Sequence, residues 1–90
     1  MMTMDGFSSW ATEQGISADS YALGRDADER YCILQLPAGD WAVFYSERGR
    51  QRSFRTFVDE SSALDVLAQM LLSDPTSLVE FRSRDRWPGA

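Results

Sequence analysis

The sequence predicts an α+β domain in the order α-β-β-β-α, with a three-stranded antiparallel meander packed by two helices and a further short helix at the end. Three runs rich in aromatic and branched residues, separated by short segments that contain glycine, are typical of such a meander. An apolar stripe at helical spacing lies on either side of them in the chain. The 90 residues suffice for one hydrophobic core. We therefore expect one domain over residues 1–82 and a flexible tail over residues 83–90.

The first helix is predicted over residues 5–14. Phe7, Trp10 and Ala11 follow the i, i+3, i+4 spacing of one helical face. Thr3 or Asp5 can serve as the N-cap. The glycine that follows residue 14 is typical of a helix C-cap.

The second helix is predicted over residues 60–72, where six apolar residues recur at helical spacing after an acidic first turn. Asp74 and Pro75 form a typical helix start, with proline at the first helical position. Leu78, Val79 and Phe81 then predict one more short helix.

The strands are predicted over residues 31–36, 41–46 and 51–58. Residues 37–40 and 47–50 have the length of hairpin turns, and each segment contains a glycine that can adopt positive φ. Residues 17–30 are interpreted as a polar connection. An antiparallel meander follows from this spacing.

The predicted strands are apolar on both faces. Cys32 and Leu34 alternate with Ile33, and Val43 alternates with Phe44, whereas a sheet with one solvated face alternates apolar with polar residues. We expect the face opposite the helices to be covered by residues 74–87 or by another protein chain.

The residue types argue against catalysis. The chain has no histidine, so the most common general base and metal ligand is absent. The single cysteine, Cys32, lies within a predicted strand and is expected to be buried and structural, in a reducing compartment. Residues 26–29 lack the spacing of a calcium loop. We expect no enzyme activity, no metal, no cofactor, no membrane-spanning segment and a cytoplasmic location.

Charge is unevenly distributed. All nine basic residues are arginines; residues 47–58 carry a net charge of +3, whereas residues 1–46 and 59–80 each carry −5. Arginine and tyrosine are enriched at protein interfaces, so the hairpin is a candidate for partner contact. A second candidate is the acidic patch before the first strand. The predicted binding residues are Tyr45, Glu47, Arg48, Arg50 and Arg52, together with Asp26, Asp28 and Glu29.

Nucleic acid is a less favoured partner. Arginines interleaved with aromatics can bind phosphates and stack bases, and the element order resembles the double-stranded RNA-binding domain. That family places a lysine cluster at the start of its second helix, where this chain has Asp59, Glu60 and Asp65. The charge at this position is reversed.

A set of short motifs runs through about residues 21–74. The motifs are Tyr21–Gly24, Tyr31–Leu34, Trp41–Gly49 with the sequence WAVFYSERG, Arg55–Phe57, and Asp59–Ala63 with Leu67. Together they resemble a family of small bacterial immunity-like proteins, which are encoded near polymorphic secreted toxins. The resemblance implies a protein that blocks a toxin by binding it, and it implies no active site. Two alternatives stay open: a homodimeric interaction domain and a nucleic-acid-binding domain.

Overall fold

The structure is a computed structural model that describes residues 3–79. Its described part is an α+β fold with one four-stranded sheet and two α-helices. The elements are α1 (Met4–Glu13), β1 (Tyr21–Leu23), β2 (Arg30–Gln35), β3 (Trp41–Glu47), β4 (Arg50–Phe57) and α2 (Glu60–Leu72), with short 3₁₀ turns at Ala18–Ser20 and Pro75–Ser77. The predicted tail, residues 83–90, lies outside the described residues.

Both α-helices begin at capped positions. The Thr3 side chain accepts a hydrogen bond from the Gly6 N–H at the start of α1, and the Asp59 carboxylate accepts one from the Ser62 N–H at 2.7 Å at the start of α2. The latter bond lowers the pKa of Asp59. Gly15 ends α1 with a φ of 77°, as its position in the sequence predicted.

The sheet has four strands and not the predicted three. Residues 21–23, which were assigned to a polar connection, form β1 and pair with β2 in parallel. Parallel neighbours usually need a crossover of a dozen or more residues. Because β1 spans only three residues, the six residues 24–29 are enough to return the chain to the start of β2. A segment this short shows no measurable periodicity in the sequence.

The two helices pack on one face of the sheet, which we call the helix side. Its core contains Phe7 of α1, Leu64 and Leu67 of α2, and Ile33 and Val43 of the sheet, all fully buried. These side chains account for the apolar stripes of the sequence.

The opposite face of the sheet has a smaller core of Ala22, Cys32, Ala42 and Phe44. Ala27 packs against it from residues 24–29, which we call the returning loop. Cys32, Ala42 and Phe44 have no exposed surface within a single chain. These residues are therefore shielded from water, but neither residues 74–79 nor a second chain is seen to provide the expected cover.

Leu78 does not contribute to that cover. It forms an antiparallel bridge with Ile16 and packs against the helix-side core. The helix predicted after Asp74 is, in its described part, the 3₁₀ turn Pro75–Ser77, because Leu78 takes the extended conformation that the bridge requires (φ −84°, ψ 141°). Phe81 lies outside the described residues.

Within residues 3–79, neither helix has the length and apolar character needed to cross a lipid bilayer.

Candidate partner-binding surface

The turn between β3 and β4 has only two residues, Arg48 and Gly49. Both have positive φ, 51° and 81°, and the paired residues Glu47 and Arg50 flank them. A type I′ turn requires positive φ at both positions and favours Asn-Gly or Gly-Gly. Gly49 meets this requirement without strain. Arg48 adopts a conformation that is unfavourable for a residue with a Cβ atom, and its backbone lies at the tip of the hairpin.

A β-bulge interrupts β4. Val43 pairs with Arg55 and Tyr45 pairs with Arg52, so two residues of β4, Ser53 and Phe54, stand opposite Phe44 alone. Ser53 has a φ of 55°, at a bulge position that glycine usually occupies. The bulge changes the alternation of side chains along the strand, so that residues three positions apart lie on the same face.

Because of the bulge, Arg55 lies on the helix side together with Arg50 and Arg52. Arg50, Arg52 and Arg55 pair with Glu47, Tyr45 and Val43, and Val43 belongs to the helix-side core. Cross-strand partners share a face of the sheet. All three arginines are exposed. We call Tyr45, Glu47, Arg48, Arg50, Arg52 and Arg55 the hairpin surface.

One ion pair lies within the hairpin surface. Arg52 Nη1 and Glu47 Oε2 are 3.1 Å apart. Within residues 3–79, the side chains of Arg48, Arg50 and Arg55 form no ion pair. Glu47, Arg48, Arg50 and Arg52 line a shallow groove next to the turn. Three guanidinium groups are thus available to an anionic partner.

The predicted acidic patch lies beside the same hairpin and supports it. The Asp28 carboxylate accepts a hydrogen bond from the Arg48 backbone N–H at 2.7 Å, and Asp26 accepts one from Gln51 Nε2 at 3.2 Å. Gln51 pairs with Ser46, on the face opposite the three arginines. The structure therefore brings the two predicted groups together, with two of the acidic residues bonded to the hairpin. Glu29 is exposed and has a φ of 56°.

Tyr45 is held in place by aromatic contact. Its ring lies 4.8 Å from that of Tyr31, edge to face, and the Tyr31 hydroxyl donates a 2.8 Å hydrogen bond to Asp74 Oδ2. Burial, and then the carboxylates of Glu47 and Glu29, raise the pKa of Tyr45. Burial, and then the bond to Asp74, raise the pKa of Tyr31 more strongly. Both phenols are therefore uncharged beside the arginines at physiological pH.

We expect the protein to lose stability as pH rises above about 10, where tyrosine ionises in the unfolded chain. The folded protein raises the pKa of Tyr31 above that value. The stability that Tyr31 contributes is therefore complete below the pKa of the unfolded chain, and it is lost as the pH rises towards the pKa in the folded protein. Urea midpoints measured from pH 7 to 11 should fall less steeply for Tyr31→Phe. Tyr45→Phe should flatten the slope less, since within residues 3–79 no carboxylate accepts a bond from its hydroxyl. An unchanged slope in Tyr31→Phe would contradict this assignment.

Arg55 lies in the basic segment of the sequence but was not among the predicted binding residues. It belongs to the hairpin surface because the bulge at Ser53 offsets it from Arg52 by three residues. A bulge with serine at the positive-φ position leaves no sequence signal, whereas a glycine there would have suggested one.

No group of three or more histidine, cysteine or acidic side chains within residues 3–79 has the arrangement of a metal site. Comparisons with protein families, with curated proteins and with solved structures find no match to this chain.

Proposed function

We propose that this protein is a non-enzymatic, cytoplasmic binding protein that blocks a toxin in the manner of an immunity protein, through its hairpin surface. The observation that carries the proposal is the placement of Arg50, Arg52 and Arg55 on one exposed face. Arginines that are preorganised on a strand recognise carboxylates with little loss of conformational freedom. An acidic surface of the partner, such as the rim of a cleft, is the complementary target.

The surroundings of the hairpin favour a protein partner over nucleic acid. The chain as a whole carries −5, and Asp28 and Glu29 lie close enough to the hairpin to affect the pKa of Tyr45. A phosphate backbone extends beyond the hairpin and would meet these negative charges, whereas a short acidic segment of a protein can contact the arginines alone. The tyrosine of the hairpin surface already packs against Tyr31, which leaves little of its ring for stacking with bases.

Self-association through the sheet is a weaker candidate. An exposed apolar face opposite the helices would favour a homodimer, but Cys32, Ala42 and Phe44 are fully buried there within one chain. No second copy is needed to remove these side chains from water.

The proposal is tested by growth protection in a host that expresses a toxic effector encoded beside this protein. We expect the wild-type chain to restore growth and Arg50→Gln with Arg52→Gln to lose at least about tenfold in protection, because two charged contacts are removed. Surface ion pairs contribute about 0–1 kcal/mol, so the loss of the Arg52–Glu47 pair should leave folding nearly unchanged.

The matched control changes net charge equally at a distant place. Ser8→Glu with Ser9→Glu alters two exposed residues of α1 and lowers the net charge by the same amount. This variant should protect like the wild type. If the two double variants protect equally, or if no neighbouring effector is neutralised, the proposal is wrong.

A further inference from the structure

β4 is an edge strand. The sheet order is β1-β2-β3-β4, so β4 pairs with β3 on one side, and within residues 3–79 no strand pairs with its other side. The strand runs for eight residues, of which seven are exposed and Phe57 is partly buried. An exposed edge of this length presents a row of free backbone N–H and C=O groups that can pair with another extended chain.

The charges of β4 select which chain can pair there. The strand contains three arginines and no acidic residue. A second copy of β4 would bring arginine against arginine, and like charges on facing positions of a sheet are destabilising. An extended segment with acidic side chains would instead place carboxylates opposite the guanidinium groups. The edge therefore disfavours self-pairing and favours an acidic partner.

The bulge defines the side-chain pattern of that partner. All three arginines point to the helix side, whereas Phe54 points to the opposite face, where its ring stacks on Phe44 at 5.7 Å and remains 46% exposed. A matching strand has acidic residues on one face and apolar residues on the other, in alternation.

From these observations we propose that β4 binds an extended acidic segment of the partner protein by adding it to the sheet as a fifth strand. This inference rests on the proposed function and goes further, because it names backbone pairing along β4 as the mode of binding. Main-chain hydrogen bonds would provide affinity, and the arginines together with Phe54 would provide specificity.

The experiment titrates the full-length, ¹⁵N-labelled protein with a capped peptide as long as β4, eight residues, that alternates glutamate with valine. Two control peptides have the same sequence and charge but carry N-methyl groups on alternate amides, one set in each register. N-methylation removes the backbone donors and leaves the carboxylates. We expect amide shifts confined to β4 and its neighbours, and at least ~10-fold weaker binding of one methylated peptide. Arg50→Gln with Arg52→Gln should weaken binding of the parent peptide, and Ser8→Glu with Ser9→Glu should not.

Three results would overturn the inference. Equal affinity of all three peptides would exclude strand addition and leave the charged surface of the proposed function intact. No binding of the parent peptide at ~1 mM would exclude recognition of an acidic strand, and the growth assay would then judge the proposed function on its own. Tighter binding of single-stranded DNA, lost as salt rises, would assign the hairpin to nucleic acid.

Discussion

Phe44→Ala is expected to lower the free energy of unfolding by about 3–5 kcal/mol. Phe44 has no exposed surface and lies at the centre of the smaller core, against Cys32 and Ala42. Its ring also stacks on that of Phe54, with the planes 18° apart. Truncation removes these contacts and leaves a cavity that the pleated sheet cannot close. Since small domains have a total stability of about 5–15 kcal/mol, a measurable fraction of the variant should be unfolded at 37 °C.

The control for this prediction is Phe54→Ala, which truncates the partly exposed ring on the other side of the same stack. Urea denaturation should show a loss below about 1.5 kcal/mol for Phe54→Ala, because its ring is only half removed from water. Similar losses in the two variants would mean that Phe44 is as accessible to water as Phe54, and the second core would not exist as described.

Phe7→Ala is expected to cost a similar amount, about 3–5 kcal/mol, on the helix side of the sheet. The Phe7 ring is fully buried and contacts Tyr21 edge to face at 5.2 Å and Trp10 at 5.5 Å. Phe7 thereby joins α1 to β1, the short strand at the far edge of the sheet. We expect hydrogen exchange in Phe7→Ala to accelerate most at Tyr21–Leu23 and least in β3, which lies inside the sheet.

Val58→Ala serves as the comparison, since Val58 is 87% exposed and its truncation should change stability by no more than about 0.5 kcal/mol. If Phe7→Ala accelerates exchange evenly over β1 and β3, then α1 and β1 do not form a separate unit of the fold.

The sequence predicted the elements whose pattern is repeated over many residues. Helix α2 was predicted with the bounds that it has, 60–72, because its stripe of apolar residues extends over more than three turns. The strands β2 to β4 were predicted within one residue at each end, since turn residues with glycine separate them. The α+β class is confirmed.

The sequence failed where structure depends on contacts between distant residues. β1 is too short to show a period. It pairs in parallel with β2, and its Tyr21 packs against Phe7 of α1, a contact that the local sequence does not reveal. Leu78 was expected in a helix because Asp74 and Pro75 form a good helix start. Its bridge to Ile16, 62 positions earlier in the chain, overrides that local preference.

The candidate surface was predictable in composition but not in geometry. The cluster of arginines around Gly49 was visible in the sequence, and so were the acidic residues of the returning loop. Two facts required the structure: Asp26 and Asp28 bind the hairpin, and the bulge at Ser53 aligns Arg55 with Arg50 and Arg52. The role of the whole surface stays a prediction until a partner is tested.

The position of Cys32 provides an internal reporter of loop motion. It is the only cysteine in the chain, it has no exposed surface, and its Sγ lies 3.5 Å from the backbone nitrogen of Ala27 in the returning loop. Burial raises the pKa of this thiol, so little of the reactive thiolate is present while the loop covers it. We therefore expect the rate of native-state alkylation to rise with the opening of residues 24–29, without any introduced label. Asp26 and Asp28 of the same loop are hydrogen-bonded to the hairpin. We therefore expect a partner bound at the hairpin surface to change the alkylation rate of Cys32, which lies on the opposite face of the sheet.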